Sequence, residues 1–319
     1  MRLALILITT ATIAAAQVKI TPAPDKIAIG INGKPFTTFY VSGAEVAKPF
    51  LWPLRAATGT YITRMWPMET VPEEANATKD HRHQRGLWFA HSEVNKFDFW
   101  NIDPANQNPY NRPDRGKIVL DKLGAAKNGD KQGSLAATFK WTNKDGDPLL
   151  TESRVMTFSA DPTLRTIDLD ITLTALKEVT FGDEKDGMLG IRLRPELQEQ
   201  GGTGVITNGD GLVTEKQLWG KPSNWCDYSG DLKGEKLGVA ILDHPSNPRH
   251  PVRWHARAYG LFAANPFGLA AFTGDKSQNG SVTLQPGQSL RYRYRIVIHP
   301  GDVKSANIVA IWDKYAMVK

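Results

Sequence analysis

The stretch of the sequence richest in reactive side chains runs from Asp80 to Trp100, DHRHQRGLWFAHSEVNKFDFW. His81 and His83 lie two residues apart, so on an extended strand their imidazoles project from the same face. Such a pair can present two nitrogen ligands to one metal ion, with His91 folding back as a third ligand. The same imidazoles could instead act as general acids or bases, or hydrogen-bond the backbone. The spacing leaves these roles open.

Polar groups in the same stretch lie beside aromatic rings, a combination that suits a sugar. Sugar C–H faces stack on rings, and sugar hydroxyls need both donors and acceptors. The candidate substrate-binding residues from this stretch are Arg85, Trp88, Asp98 and Trp100.

A second histidine-rich segment spans 242–268, LDHPSNPRHPVRWHARAYGLFAANPFG, and its prolines and asparagines predict a loop in the first half. Such a loop is a candidate wall of a binding site. A third aromatic-rich loop, WGKPSNWCDYSG, spans 219–230. His255 is a further candidate acid or base. The candidate substrate-binding residues from these two segments are Trp225, Tyr228, His244, Arg249, His250 and Trp254.

Two carboxylates are candidate general bases: Glu152 on a predicted strand and Glu184 in the acidic loop 182–187. Arg192, like Arg85 and Arg249, is a candidate to bind an acidic or carbonyl oxygen. The sequence has no phosphate-binding glycine loop, dinucleotide fingerprint or His-Glu-x-x-His. It also lacks a Gly-x-Ser-x-Gly elbow, so a hydrolytic serine triad has no support.

The elements that must position these residues are predominantly strands. Apolar and polar residues alternate over 134–141, 149–158 and 166–176, with short turns between them, which predicts an antiparallel meander. The segments 281–284 and 290–298 repeat the pattern. The clearest helix signal is 303–317, where Ile308, Ile311 and Trp312 form an apolar face. We therefore predict an all-β protein with few short helices and a single domain over 17–319.

Residues 1–16, MRLALILITTATIAAA, have the layout of a cleavable signal peptide and are too short for a membrane span. The layout predicts a periplasmic or secreted protein without a membrane span. The net charge of +6 is modest and the basic residues are scattered, which argues against nucleic-acid binding. Cys226 is the only cysteine, so no internal disulfide can form, and we expect its thiol to be packed.

The motif at 80–100 resembles a family of exported bacterial proteins of unknown function that carries the label PmoA-like. The family pattern is D-H-P-H-H-R-G-L-W-F-x-H-G-x-V-N-x-x-D-F-W. Gln84 stands where the pattern has a third clustered histidine. Further matches are GMLGIR at 187–192, KPSNWCDYSG at 221–230, DHPSNPRHP at 243–251 and NPFG at 265–268. The strand order and the closing PGQSLRYRYRIVIHPG are similar to the galactose-mutarotase-like β supersandwich, which implies a sugar as the substrate class.

These observations favour an exported carbohydrate-active enzyme that works by general acid–base catalysis, with epimerisation, β-elimination and hydrolysis all open. Two alternatives stand beside it. One is a non-catalytic sugar-binding module on the same sandwich. The other is a metal-dependent oxidoreductase, in which His81, His83 and His91 would hold a divalent metal ion.

Overall fold

The computed structural model describes residues 17–105 and 114–319, so the predicted signal peptide at 1–16 lies outside the described residues. The strands, in chain order, are β1 (Val18–Pro22), β2 (Lys26–Ile31), β3 (Lys34–Tyr40), β4 (Phe50–Trp52), β5 (Leu87–His91), β6 (Lys117–Lys127), β7 (Gln132–Thr142), β8 (Pro148–Ala160), β9 (Arg165–Ala175), β10 (Val179–Phe181), β11 (Gly187–Arg192), β12 (Val205–Asn208), β13 (Trp225–Leu232), β14 (Glu235–Asp243), β15 (Arg253–Ala256), β16 (Leu261–Asn265), β17 (Val282–Leu284) and β18 (Ser289–Pro300). The helices are short: α1 (Glu215–Leu218), α2 (Leu269–Thr273) and α3 (Ile308–Ala316), with 3₁₀ turns at Pro72–Glu74 and Pro195–Leu197.

Two eight-stranded antiparallel sheets make up the body of the protein. The first has the order β1-β2-β3-β4-β5-β11-β16-β15, and the second has the order β12-β13-β14-β18-β9-β8-β7-β6. A small third sheet pairs β10 with β17. The predicted all-β antiparallel sandwich with few helices is confirmed, and the predicted meander corresponds to β7, β8 and β9.

Alternation within β9 shows how the sequence forms these sheets. Ile167, Ile171 and their apolar neighbours are buried, while Asp168 and Asp170 point to the other face. There each aspartate pairs with an arginine of β18: Asp168 Oδ1 lies 2.6 Å from the Nε of Arg295. A period of two residues with one buried face is what a strand at the surface of a sandwich requires.

Aromatic contacts join the two sheets. Phe36 packs edge-on against Phe158, and Phe89 of β5 lies against Tyr292 of β18 with 6.0 Å between ring centroids. Because Phe89 faces the second sheet, its neighbour Trp88 faces away from it. The strands of the first sheet therefore present a second, outer face.

Glu152 is part of this core and does not reach a cavity. Its carboxylate accepts hydrogen bonds from Arg154 Nε at 2.6 Å and from Trp141 Nε1 at 2.9 Å. Arg154 in turn lies against the rings of Phe39 and Phe139. Glu152, predicted as a general base, is instead enclosed in an ion pair between the sheets.

The C-terminal helix α3 covers the outer face of the second sheet. Ile308 and Tyr315 of the helix pack with Trp225, and Trp312 Nε1 donates to the carbonyl of Asp243. The predicted helix at 303–317 is confirmed in its central part. Cys226 is buried beside this layer, as expected. Within the described ranges, the helices lack the length and apolar character that crossing a membrane requires.

Replacing Arg154 by methionine is expected to lower the free energy of unfolding by about 3–5 kcal/mol, because Glu152 would be left buried without its cation. The side chains of this pair are 4% and 0% exposed. The matched control is Arg291→Met, whose pair with Asp170 is 57% and 37% exposed and should cost no more than about 1 kcal/mol. Urea unfolding of both variants gives the measurement, and equal losses would contradict the prediction.

Candidate functional site

The chemically active side chains converge on a cavity of about 250 Å³ on the outer face of the first sheet. A row of paired residues runs across that face from Trp88 through Gly190 and Ala263 to His255. The small residues in the middle leave a depression, which Trp100 enters: a Cβ on Gly190 would lie 2.6 Å from its indole. The cavity is lined by His81, His83, Gln84, Trp100, Asn101, Lys185, Asp186, His255, Arg257 and Tyr259.

Two buried arginines hold the loop that carries His81 and His83. Arg64 Nη1 and Arg192 Nη2 donate to the same oxygen of Asp80, at 2.9 and 2.8 Å, and both arginine side chains are 1% exposed. Arg64 also donates to the backbone carbonyl of His81. His81 adopts the left-handed conformation, with φ of 47°. The arginines thus compensate an unfavourable backbone shape with charge-assisted hydrogen bonds.

Asp98 forms the turn that brings Trp100 and Asn101 to the cavity. One oxygen accepts from the backbone N–H groups of Trp100 and Asn101, and the other accepts from the side-chain amide of Asn101 at 3.0 Å. The buried Lys48 donates to the carbonyl of Trp100 at 2.6 Å. Burial lowers the pKa of Lys48 to about 7. Asp98, predicted to bind substrate directly, instead positions the two residues that line the cavity.

His255 is held in one tautomer. Its Nδ1 lies 2.9 Å from the carbonyl oxygen of Lys185, which can only accept, so Nδ1 carries the proton. In the neutral ring Nε2 is then the basic atom. The carboxylate of Asp186 lies 3.6 Å from Nδ1. Burial lowers the pKa of His255 to about 4 against the opposing effect of Asp186, so the ring is neutral near pH 7.

His81 and Tyr259 form a stacked pair at another side of the cavity. Their ring centroids lie 5.4 Å apart with the planes within 9° of parallel. The guanidinium of Arg192 lies 4.6 Å from the ring centroid of Tyr259. Burial, and then the charges of Arg192 and Arg64, lower the pKa of His81 to about 4, while Asp80 opposes them. Burial raises the pKa of Tyr259, so its phenol stays protonated.

The structure brings together three of the six predicted catalytic residues, His81, His83 and His255. His91 is not among them: its side chain lies on the inner face of β5 against Phe181 and Phe267, and Nε2 donates to the carbonyl of Gly182. Strand alternation explains the error, since His91 has the same parity as Phe89.

Glu184 does not line the cavity either, although its loop does. Its backbone carbonyl accepts hydrogen bonds from the side chain of Asn265 and from the N–H of Gly268. Asp186, two residues along, supplies the carboxylate next to His255. The predicted acidic loop therefore lines the cavity through Lys185 and Asp186, and not through Glu184.

None of the three arginines predicted to bind an acidic or carbonyl oxygen lines the cavity. Arg85 pairs with Asp103 at 3.0 Å, and Arg192 lies behind Tyr259. Arg249 donates to the backbone carbonyls of Pro266 and Gly280. These guanidiniums hold loops in place, because buried carbonyls and carboxylates need donors as much as a substrate does.

Most of the predicted aromatic platform is internal. Trp88, Trp225 and Trp254 are buried, and of the four predicted tryptophans the cavity touches Trp100 alone. Tyr228 stacks on Phe262 in the core, although its hydroxyl donates to the backbone carbonyl of Arg257. These positions are corrected from substrate binding to packing.

The histidines of the loop 243–251 hold the C-terminal segment instead of a substrate. His244 Nε2 donates to the carbonyl of Val318, and the ring of His250 stacks on Trp312. Asp243 accepts from His250 Nδ1 at 2.7 Å. His244 and His250, predicted to contact substrate, therefore do not line the cavity and contact the C-terminal segment instead.

The predicted metal set does not form. Over the described ranges 17–105 and 114–319, no group of three or more His, Cys, Asp or Glu side chains is placed to hold a metal ion. His81 and His83 line the cavity on the outer face of the first sheet, whereas His91 lies on its inner face.

Sequence reasoning missed six lining residues: Gln84, Asn101, Lys185, Asp186, Arg257 and Tyr259. Gln84, Arg257 and Tyr259 lie inside the segments chosen for their histidines and aromatics, and Asn101 directly follows the first of these segments. Asp186 is the last residue of the acidic loop before β11 begins at Gly187. Its position next to a strand was the one sequence feature that could have indicated it.

A family model described as "Family of unknown function (DUF6807)" matches residues 26–313. This agrees with the predicted resemblance to a family of unknown function, and the description does not carry the PmoA-like label. No curated protein matches the chain.

Several solved structures are similar in fold. A galactose mutarotase-like protein from Clostridium acetobutylicum shares 10% identity, with a TM-score of 0.43, over 90% of this chain and 99% of that one. A putative aldose 1-epimerase from Escherichia coli K12 shares 10% identity, with a TM-score of 0.35, over 89% of this chain and 99% of that one. The galactosidase domain of an α-galactosidase-sucrose kinase shares 8% identity, with a TM-score of 0.45, over 89% of this chain and 42% of that one.

Lowering the pH from 7 to 5 is expected to destabilise the fold. The pKa values of His91 and His255 are about 4 in the folded protein, below the ordinary 6.5. At pH 5 these two rings are therefore protonated in the unfolded chain and neutral in the folded one. This difference lowers the free energy of unfolding by up to about 2 kcal/mol for each ring. His299, whose pKa Asp227 raises against burial, opposes part of this loss.

Urea unfolding at pH 7 and pH 5 measures the effect. His91→Gln removes one titrating ring, so this variant should lose less stability between the two pH values than the unaltered protein. The same loss in both proteins would contradict the assignment of His91 as a neutral buried imidazole.

Proposed function

The chain belongs to DUF6807, a family of unknown function, and we propose that it is an enzyme acting on a small sugar by general acid–base catalysis. The observation that carries the proposal is His255, a neutral imidazole at a cavity, with its proton fixed on Nδ1 and a carboxylate behind it. This arrangement is what a general base needs: a defined basic atom, and a counter-charge ready for the imidazolium that forms.

The lining of the cavity supports a polyhydroxylated ligand. It combines side chains that only donate, as in Lys185 and Arg257, with a carboxylate that only accepts and amides that do both. A sugar hydroxyl both donates and accepts, so it matches this mixture. The volume of about 250 Å³ is smaller than that of sites for drug-sized ligands, which suits a single sugar ring.

The proposed roles follow from the contacts. His255 Nε2 removes a proton from the substrate, and Asp186 stabilises the resulting imidazolium through Nδ1. Tyr259, protonated because burial raises its pKa, is the proposed proton donor. Asn101 and Gln84 orient hydroxyl groups. Epimerisation, β-elimination and hydrolysis each use such a pair and stay open.

The two alternatives have weaker support. A binding module for sugars would offer aromatic faces to the ligand, but of the four predicted tryptophans only Trp100 lines the cavity, and its side chain is itself buried. A metal-dependent oxidoreductase would need a ligand set that the described residues do not form. We also propose that the protein acts in the periplasm or outside the cell, which rests on the pattern of residues 1–16.

His255→Gln is expected to lower kcat by about 10²–10⁴-fold on any substrate found in a turnover screen of aldoses, sugar acids and their glycosides. Glutamine keeps a hydrogen-bonding group but cannot take the proton. The control is His250→Gln, which removes an imidazole at the C-terminal helix and should leave kcat unchanged. Circular dichroism confirms that both variants are folded.

Two outcomes would count against the proposal. If His255→Gln turns over at the same rate as the unaltered protein, His255 is not the base. If sugars bind in the cavity without any being converted, the protein is a binding module instead.

A further inference from the structure

We infer that the sugar recognised in this cavity carries a carboxylate, and that Arg257 and Lys185 bind it. The inference rests on the proposed function, because it names the substrate class of the same site. Arg257 and Lys185 were not among the predicted site residues, and they are the two permanently cationic side chains of the lining.

Arg257 is built to present free donors. The hydroxyl of Tyr228 donates to its backbone carbonyl at 2.8 Å, which fixes the main chain at this point. Its Nε lies 2.7 Å from Glu215 Oε1, while Glu215 Oε2 accepts from the N–H of Ala258. Among the contacts of the described residues, neither Nη atom of Arg257 donates a hydrogen bond. A guanidinium edge with free N–H groups at a cavity suits bidentate binding of a carboxylate.

Lys185 has a double connection to the site. Its backbone carbonyl fixes the tautomer of His255, and its ammonium lies 3.3 Å from Asp186 Oδ2. The side chain is 41% exposed, so the ammonium can also reach a ligand. A ligand carboxylate placed between Lys185 and Arg257 would lie close to the proposed base.

The ion pairs of the two cations leave donors for an anion. Lys185 pairs with Asp186 at 3.3 Å and Arg257 pairs with Glu215 at 2.7 Å, so each cation of the lining has one carboxylate partner. The pair of Arg257 uses Nε alone, and the ammonium of Lys185 is partly exposed, which leaves the Nη edge and the ammonium for a ligand carboxylate.

The test is isothermal titration of the full chain with D-glucuronate and D-galacturonate against D-glucose and D-galactose, at low ionic strength. The acids should bind at least about tenfold more tightly than the neutral sugars, as expected for charge-assisted pairs. Arg257→Gln and Lys185→Gln should each remove most of this preference, so that the acids bind no more tightly than the neutral sugars do. The matched control is Arg253→Gln at the start of β15, the strand that directly precedes Arg257; Arg253 does not line the cavity, so this variant should keep the preference.

The outcomes separate this inference from the function on which it rests. Equal binding of acids and neutral sugars would overturn the inference and leave a sugar enzyme. A preference for acids that survives both substitutions would also overturn it, since the carboxylate would then bind elsewhere. Failure of all four sugars to bind would overturn the sugar class itself.

Discussion

The candidate site depends on one buried electrostatic arrangement, the carboxylate of Asp80 between Arg64 and Arg192. Arg64 comes from the segment after β4 and Arg192 from the end of β11, so the bridge ties the loop with His81 and His83 to the sheet. Without Asp80, two guanidiniums would lie together in the interior without a counter-charge, which is among the costlier defects a fold can contain. The loop cannot move away from the sheet without separating these charges.

The same arrangement sets the chemistry of the site. Burial lowers the pKa of His81 to about 4; Asp80 opposes this shift, and Arg192 and Arg64 act in the same direction as burial. His255 reaches the same neutral state mainly through burial. Neutral imidazoles are useful as bases, whereas imidazolium ions would be needed as acids. For this reason the proposed proton donor is a phenol, and Tyr259 is the one that lines the cavity.

The sequence predicted the fold well because strand alternation is a local signal. β9 could be assigned from the alternation of apolar and polar residues that begins at Ile167 and Asp168 and continues along 166–176. The candidate cavity was predicted in part: the segment 80–100 supplies four of its lining residues, but His91 and His81 were assigned together although the sheet separates them. Their faces depend on where β5 begins, which the hydrophobic pattern of a fully buried strand does not show. The role of the loop 243–251 was also hidden, since its partner is a helix about sixty residues later.

Gln84 illustrates how a single substitution bears on this site. The resembled pattern has a histidine there, and this chain has an amide that accepts from Arg192. A histidine could accept from that arginine only while neutral, and its protonation would set two cations against each other. An amide accepts and donates at once without titrating. Gln84 therefore accepts the hydrogen bond from Arg192 at every pH. The groups of the cavity that can exchange protons are then the imidazoles and Tyr259, which is consistent with the proposal of His255 as the base.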